Sequence, residues 1–356
     1  MFMASISTQT TDPNRAKYKV RWREDDGRAR SESFTTLKAA EARKREVERK
    51  LAEGTYVAAS EGRVRFATFA AEVAESWHDL SQSTRDRYAV DLGTKFSDLA
   101  DLEVGEIDVR TVQRVVDRLA RRLAADTVRK AYYVLTRIMD DAVTRRLIER
   151  TPCHGIRLPK VERVERVPAT SDAIEKLSLT LPDEYRAVAF VGGDAGLRIG
   201  ELLALRWEDV DLQRRTLTVR RSVSESGGQV REKTTKSDKV RTVPLTRRTV
   251  DALTDLREWH DPAPSARVFA AARGGVYRPG LFRSRVWNPA IRDAGLEGMT
   301  PHDLRHSAIT AWIEHGASVV LASRWAGHSD PGFTLRRYGH LTPLHADGVL
   351  DRLDAR

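Results

Sequence analysis

Apolar and basic side chains alternate strictly in one segment near the start of the chain, KYKVRWR at residues 17–23. A period of two predicts a β-strand with one apolar face and one basic face. The turn at Gly27, followed by Arg28 and Arg30, predicts a second strand that continues the pattern. A charged helix then follows before Gly54. The basic positions of the first strand are Lys17, Lys19, Arg21 and Arg23.

The basic face of this predicted sheet allows two interpretations. Lysine and arginine are common on exposed strands, so the face could simply be solvated. The major groove of B-form DNA is wide enough for a β-ribbon, so the face could instead contact DNA through Lys19, Arg21 and Arg23. We favour the second interpretation and predict a small domain of sheet plus helix over residues 1–60.

Residues 63–150 follow a helical period throughout, which predicts four short helices. Asp108 and Asp126 are predicted as the N-caps of the last two helices. Because helix N-termini favour phosphate, basic residues in these first turns predict contacts with a DNA backbone. A plain helical bundle with charged flanks is the alternative. The candidate DNA contacts in this segment are Thr84, Arg85, Arg87, Arg129 and Lys130.

An extended linker is predicted over residues 151–169, because the sequence there contains prolines and many charges but little periodicity. Residues 170–356 begin with helices, pass through the strand-like segments RTLTVRRSV and KVRTVPL, and return to helix. This order predicts a helix-dominated α+β domain. The whole chain is therefore expected to be multidomain and mainly α-helical, with small β-sheets.

The charge balance indicates a polyanionic partner. The 356 residues include 61 Lys and Arg against 51 Asp and Glu, a formal net charge of +10. Nucleic acid is the first candidate and a membrane surface the second. The single cysteine, Cys153, excludes an intrachain disulfide and fits a reducing cytosol. Because no signal peptide and no run of 18 apolar residues is present, we expect a soluble intracellular protein without a membrane span.

The segment TPHDLRHSAITAWIEHG, residues 300–316, offers two alternative sites. His302 and His306 have the spacing at which a helix presents two imidazoles to one metal ion. His302 and Arg305 are three residues apart, and an imidazole beside a guanidinium suits a phosphate. With Thr300 as N-cap, His302 falls in the first turn, where the helix dipole favours an anion and opposes a cation. We therefore reject the metal and predict an anion site that uses no metal or other cofactor.

Further polar residues in this half of the chain are of the types that metal-free phosphoryl transfer needs. Taken singly, each has a structural explanation, as a helix end, a solvated turn, a cap or a core aromatic. Glu201 follows Arg198 by one helical turn and could orient its guanidinium. The candidate set consists of Arg198, Lys236, His302, Arg305, His328 and Tyr338.

Taken in order, these residues resemble the catalytic set of the tyrosine recombinases, the phage integrase family. The segments GLRIGELLALRWEDVD and HDLRHSAIT…AGHSDPGFTLRRYGHL are similar to the family's two catalytic boxes almost without departure. The resemblance extends over nearly the whole chain. It implies an arm-binding domain at 1–60, a helical core-binding domain at 63–150, and a catalytic domain with a C-terminal tail at 170–356.

The resemblance implies a site-specific recombinase that cleaves and rejoins DNA through a 3′-phosphotyrosine. Tyr338 would be the nucleophile, and His302 would accept its proton. Arg198 and Arg305 would bind the non-bridging phosphate oxygens, His328 would add a hydrogen bond, and Glu201 would hold Arg198 or a histidine.

The general acid that protonates the leaving 5′-oxygen is the least fixed of these assignments. Lys236 lies eight residues before Pro244, as in many relatives, and Lys233 and Lys239 are the alternatives.

The partners implied by the resemblance are double-stranded DNA attachment sites with core and arm sequences, and three further copies of the chain in a tetramer that forms a Holliday junction. A directionality factor or a host DNA-bending protein would assist, in the cytoplasm or nucleoid of a bacterial host. Leu344, Val349, Leu350 and Leu353 of the tail would pack on a neighbouring protomer or dock within their own chain. The alternatives are a type IB topoisomerase, a Xer-like resolvase and a catalytically dead DNA-binding relative.

Overall fold

Backbone contacts divide the chain into two units, Met1–Arg163 and Val164–Arg356. The computed structural model describes residues 4–8, 17–24, 27–58, 60–162, 167–226, 228–234, 240–272 and 274–341. The division between the units falls in the segment predicted as a linker. No helix in the described ranges combines the length and the apolar character that crossing a membrane requires.

The first unit begins with a three-stranded antiparallel sheet in the order β1-β2-β3, with helix α1 packed on one face. In β2, Val20 and Trp22 are buried in the cluster with α1, whereas Arg21 and Arg23 are exposed. The predicted two-faced strand is thus confirmed. Strand β1, which was not predicted, pairs with the other edge of β2. The bounds are β1 Ser5–Thr8, β2 Tyr18–Arg23, β3 Ala29–Phe34 and α1 Leu37–Ala52.

The register of β3 corrects the expectation that this strand continues the basic face. Arg30 lies directly opposite Trp22, and residues directly opposite each other in an antiparallel pair share a face. Its guanidinium donates hydrogen bonds to the carboxylate of Glu24 at 2.9 Å and to the hydroxyl of Ser60 at 2.7 Å. Arg30 therefore lies on the packed side of the sheet.

Four α-helices follow, as predicted, and bury one continuous apolar cluster. Asp108 is confirmed as an N-cap, because its side chain accepts a hydrogen bond from the backbone N–H of Thr111 at 2.7 Å. The prediction for Asp126 was wrong: Ala124 is the N-cap, and Asp126 lies in the first turn, where it pairs with Lys130. The bounds are α2 Phe66–Ser76, α3 Gln82–Lys95, α4 Val109–Ala120 and α5 Ala125–Thr144, with 3₁₀ turns at Ser97–Leu99 and Val104–Glu106.

The start of the predicted linker packs against this helical cluster. Cys153 is buried there, and burial raises the pKa of its thiol. The backbone carbonyl of Cys153 accepts a hydrogen bond from the hydroxyl of Tyr132. Ile156 and Leu158 also contact the cluster, so the chain leaves the bundle only after these residues.

The second unit surrounds two small sheets with helices and has its own apolar core. One sheet has the order β4-β5-β8, and β6 and β7 form a separate hairpin. The strands are β4 Val210–Asp211, β5 Thr216–Val219, β6 Arg221–Ser226, β7 Gln229–Thr234 and β8 Arg241–Pro244. The helices are α6 Ser171–Thr180, α7 Ala187–Gly193, α8 Ile199–Leu202, α9 Arg247–His260, α10 Pro279–Phe282, α11 Asn288–Asp293, α12 Pro301–Glu314, α13 Val319–Ala326 and α14 Pro331–Tyr338. Shorter helical turns are Asp183–Tyr185, Trp207–Asp209, Arg283–Trp287 and Gly339–Leu341.

Candidate active site

A tight turn before helix α8 positions Arg198. Gly196 adopts φ +66°, and a Cβ there would lie 2.7 Å from the ring of Trp312, so the turn requires glycine. Arg198 then occupies the N-cap position of α8. Its side chain keeps 40% of its surface exposed, so part of the guanidinium faces solvent.

Glu201 holds Arg198 from one turn along the same helix. Its carboxylate, buried to 3% exposure, accepts hydrogen bonds from the guanidinium of Arg198 at 2.8 Å and from the Arg198 backbone N–H at 2.9 Å. The side chain of Arg241 on β8 donates two further bonds to the same carboxylate, at 3.0 and 2.6 Å. Burial alone would raise the pKa of Glu201, but the bonds and charges of Arg241, with the charge of Arg198, lower it to about 2. Glu201 is therefore a carboxylate at neutral pH.

Helix α12 supplies the next two residues of the candidate set. Thr300 is confirmed as its N-cap, in a capping box with Asp303, and Pro301 is the first helical residue. His302 therefore lies in the first turn, as predicted, and is exposed. Arg305 is almost fully buried, at 1% exposure. Its guanidinium donates to the carbonyl oxygen of Gly196 at 2.7 Å.

The C-terminus of helix α13 brings three arginines together. Arg241 donates to the carbonyl of Trp325 at 2.8 Å, Arg305 to that of Ala326 at 2.5 Å, and Arg198 to that of Gly327 at 3.2 Å. Carbonyl groups in the last turn of a helix lack intrahelical partners and carry the negative end of the helix dipole, so cations are stabilised there. Three consecutive carbonyls thus fix the positions of three guanidinium groups.

His328 and Tyr338 follow this helix end. Gly327 terminates α13 with φ +65°, which places His328 immediately after the cap. The Nδ1 atom of His328 lies 2.6 Å from the hydroxyl of Thr334 in α14. Tyr338, the last residue of α14, is buried to 4% exposure.

The hydroxyl of Tyr338 contacts a histidine that the candidate set did not include. It lies 2.9 Å from Nδ1 of His306. In the sequence, His306 was a candidate only as a metal ligand, and the resemblance implied His302 as the proton acceptor. The i, i+4 spacing of His302 and His306 indicated that both rings could act at one site. Which of the two rings contacts the phenol depends on where α14 packs.

Burial and, after it, mutual repulsion of cations shape the electrostatics of the cluster. Burial, followed by the charge of Arg198, lowers the pKa of Arg305 to about 9. Burial and the charges of Arg305, Arg198 and Arg241 lower the pKa of His328 to about 4. The pKa of His302 is also lowered, by partial desolvation of its ring and then by the charge of Arg305. Such a cluster would be stabilised by an anion.

Hydrogen bonds and electrostatic effects on pKa values thus connect five of the six predicted catalytic residues. Lys236 and Lys239 lie outside the described residues, and Lys233 is exposed on β7. Arg241 is a second residue that the sequence analysis missed. A basic residue in a short strand carries no particular signal, because its partners come from α8 and α13.

The candidate DNA-contact residues all lie in the first unit, on β2, α3 and α5. Lys19 is half-buried beside the exposed Arg21 and Arg23 on β2. Arg85 donates a hydrogen bond to the side chain of Gln82 at 2.7 Å, and Arg129 donates to the carbonyl of Pro159 at 2.9 Å. The others on these helices are Thr84, Arg87 and Lys130.

Metal ligands are not grouped in the described part of the chain, where no cluster of three or more His, Cys, Asp or Glu could hold an ion.

Comparisons with known proteins match this geometry to one family. The model of the phage integrase family matches residues 166–345, just over half of the 356-residue chain. The chain belongs to the phage integrase family. It is therefore a tyrosine site-specific recombinase, and the 3′-phosphotyrosine intermediate is characteristic of its family. The fold class expected from the sequence is confirmed.

Individual relatives extend this similarity beyond the matched segment. The chain is 29% identical over 344 residues to the putative prophage phiRv2 integrase of Mycobacterium tuberculosis strain H37Rv, covering 92% of this chain and 89% of the relative. The Tn1549 transposon integrase in complex with transposon right end DNA has a similar fold, with a TM-score of 0.69 at 17% identity, covering 82% of this chain and 100% of that one. The lambda integrase tetramer bound to a Holliday junction gives 0.61 at 15% identity, covering 91% and 96%.

The buried Glu201 carboxylate generates a first prediction. Glu201→Gln keeps the shape of the side chain but removes the charge between Arg198 and Arg241. We expect the free energy of unfolding to fall by about 3 kcal/mol, because two guanidinium groups lose their buried counter-charge. Urea unfolding would measure this. The matched control is Glu208→Gln, since Glu208 pairs with Arg221 at 40% exposure and surface pairs contribute less than about 1 kcal/mol. Equal losses in the two variants would contradict the role of Glu201.

The lowered pKa of His328 generates a second prediction, on pH. Because the pKa falls from 6.5 in the unfolded chain to about 4 in the folded one, the unfolded state binds more protons between these values. Stability should therefore decrease as pH falls through this window and be fully present above it. We expect the urea midpoint to drop more between about pH 7.5 and about pH 5 in the wild type than in His328→Gln. Identical pH dependence in both proteins would contradict the lowered pKa.

Proposed function

We propose that Arg198, His302, Arg305 and His328 bind one DNA phosphodiester and that Tyr338 attacks its phosphorus. The observation that carries this proposal is a cluster of arginines and histidines beside a buried tyrosine, in which burial and the arginine charges lower the pKa values of Arg305, His302 and His328. A partly buried cation cluster of this kind gains most from an anion, and a DNA phosphate is the anion that a recombinase must engage. The guanidinium groups would stabilise the charge that develops in the transition state, where many phosphoryl-transfer enzymes use magnesium.

The proposed reaction forms one phosphate ester bond and breaks another. The phenol oxygen of Tyr338 bonds to phosphorus, and the bond to the 5′-oxygen breaks. A lysine would protonate the departing oxygen, and Lys236 is the candidate, with Lys233 and Lys239 as alternatives. Because the phosphotyrosine conserves the energy of the ester bond, a 5′-hydroxyl can reseal the strand without ATP.

We propose that the first unit binds the attachment site. Three basic residues project from one face of β2, and serines on both neighbouring strands lie opposite two of them: Ser5 and Ser31 face Arg21, and Ser7 and Ser33 face Lys19. Small hydroxyl residues leave room for a DNA backbone and can donate hydrogen bonds to phosphate. This face would bind arm sequences, while the helices around Thr84, Arg87 and Lys130 would bind core sequences.

The proposed assembly is a tetramer acting through a Holliday junction in a bacterial host's cytoplasm or nucleoid. The lambda integrase tetramer bound to a Holliday junction, which shares the fold over 91% of this chain, supports this assembly. Accessory directionality or DNA-bending factors are part of the proposal. The tail with Leu344, Val349, Leu350 and Leu353, which would contact a neighbouring copy, lies outside the described residues.

The nucleophile is tested by Tyr338→Phe. This variant should bind a site-bearing duplex as the wild type does but form no covalent adduct on a nicked substrate, because the phenol oxygen is absent. Denaturing gel electrophoresis of trapped complexes measures the adduct. An adduct formed by the Phe variant would contradict the assignment. Excess chelator should leave wild-type cleavage unchanged, and strong inhibition would contradict a reaction without metal.

The arm-binding face is tested by Arg21→Ser with Arg23→Ser in the full chain. Each lost phosphate contact should reduce the slope of log affinity against log salt by about 1, while cleavage at the core site is retained. The charge-matched control is Lys38→Ser with Arg45→Ser, two residues exposed on α1. Footprinting on an arm site distinguishes the pairs. Equal losses in both double variants would show that net charge alone is responsible.

A further inference from the structure

A direct contact joins the proposed nucleophile to a histidine outside the expected catalytic set. The hydroxyl of Tyr338 lies 2.9 Å from Nδ1 of His306, and the two ring centres are 5.0 Å apart with an interplanar angle of 56°. We propose that His306 orients the Tyr338 hydroxyl and accepts its proton as the phenol attacks DNA. This inference rests on the proposed role of Tyr338 as the nucleophile.

The surroundings of Tyr338 create the need for such an acceptor. The ring is packed with Ile309, Ile313, Ala322 and Ala326, and little of it contacts solvent. Burial raises the pKa of the phenol, although the charge of Arg337, a hydrogen bond from its side chain and the charge of Arg305 oppose this shift. A neutral phenol is a weak nucleophile, so its proton must move to a base as the bond to phosphorus forms.

The two histidines of helix α12 lie in different surroundings, which suit them to different roles. His302 lies in the exposed first turn, and the nearby charges of Arg305 and Arg198 act on it. His306 lies one turn further along the helix, partly buried, at the place where α14 delivers the phenol. His302 is therefore available to the phosphate, and His306 already meets the geometric requirement for a base, which must be within about 3 Å of the proton it accepts.

The proton balance of the step is simple. A neutral His306 ring with its hydrogen on Nε2 has a free electron pair on Nδ1. The hydroxyl proton of Tyr338 moves to Nδ1 while the oxygen bonds to phosphorus, and the 5′-oxygen leaves with a proton from the lysine acid. In rejoining, the steps reverse, and the imidazolium returns the proton to the phenol.

The first test is the rate of covalent adduct formation on a nicked substrate, measured in a single turnover. His306→Phe keeps an aromatic ring but has no acceptor, and we expect the rate to fall by roughly 100- to 10,000-fold with unchanged DNA binding. His306→Asn can still contact the hydroxyl but is not basic, so it should also be slow, and it covers the case in which the Phe variant fails to fold. The control is His315→Phe at the C-cap of the same helix, where Nδ1 lies 2.8 Å from the carbonyl oxygen of Ala311.

The second test determines whether His306 acts on the phenol oxygen of Tyr338 or on the leaving 5′-oxygen. A substrate with sulfur in place of the bridging 5′-oxygen has a better leaving group and needs no acid there. This substrate should not restore the cleavage rate of the His306 variants. In contrast, 3-fluorotyrosine at position 338, a more acidic phenol, should reduce the difference in cleavage rate between these variants and the wild type. Restoration by the sulfur substrate would overturn the inference.

Two further outcomes would also overturn it. Variants of His306 that cleave at the wild-type rate would show that the contact is dispensable, and variants that cleave faster would show that it restrains the nucleophile. Either result would leave the role of Tyr338 intact as long as Tyr338→Phe forms no adduct. An adduct in that Phe variant would instead overturn the proposed function itself.

Discussion

The site depends on the way in which three arginines share the C-terminus of one short helix. Arg241, Arg305 and Arg198 donate to the consecutive carbonyls of residues 325–327. Unpaired carbonyls at a helix end are satisfied by these donors, and the donors are held by the negative end of the dipole. Glu201 adds a full negative charge between two of the three. Without these compensations, so many cations could not remain together in a partly buried site.

The carbonyl oxygens and Glu201 do not fully neutralise the positive charge of this cluster, and the remaining charge favours an anion. Burial and then the charges of Arg305, Arg198 and Arg241 lower the pKa of His328 to about 4. The part due to the arginines indicates that the site retains a positive potential. A bound phosphate would meet donors whose positions are already fixed by protein carbonyls, so little reorganisation is required when charge develops on it. Folding thereby holds cations together at some cost in stability, and a bound anion would balance their charge.

Sequence patterns predicted the local features of this site well and the long-range contacts poorly. The N-cap at Thr300 and the position of His302 in the first turn depend on residues within a few positions of one another, and both were confirmed. The roles of Arg241 and His306 depend on packing among α8, α12, α13, α14 and β8, which no local pattern records. The same limit explains Arg30: alternation predicted a strand, but the register that decides its face is set by pairing with β2.

Helix α12 shows why the two alternatives first offered by residues 300–316 were both incomplete. A helix presents residues three and four positions apart on neighbouring parts of its surface. His302 and Arg305 share the side on which the other arginines lie, as the lowered pKa of each indicates. His306 lies about 40° from His302 and about 100° from Arg305 around the helix. It is one turn further along than His302, and its Nδ1 contacts the hydroxyl of Tyr338. In the proposed reaction, one helical turn would thus serve both partners, because the groups that would bind the electrophile and the group that contacts the proposed nucleophile are fixed by the same backbone.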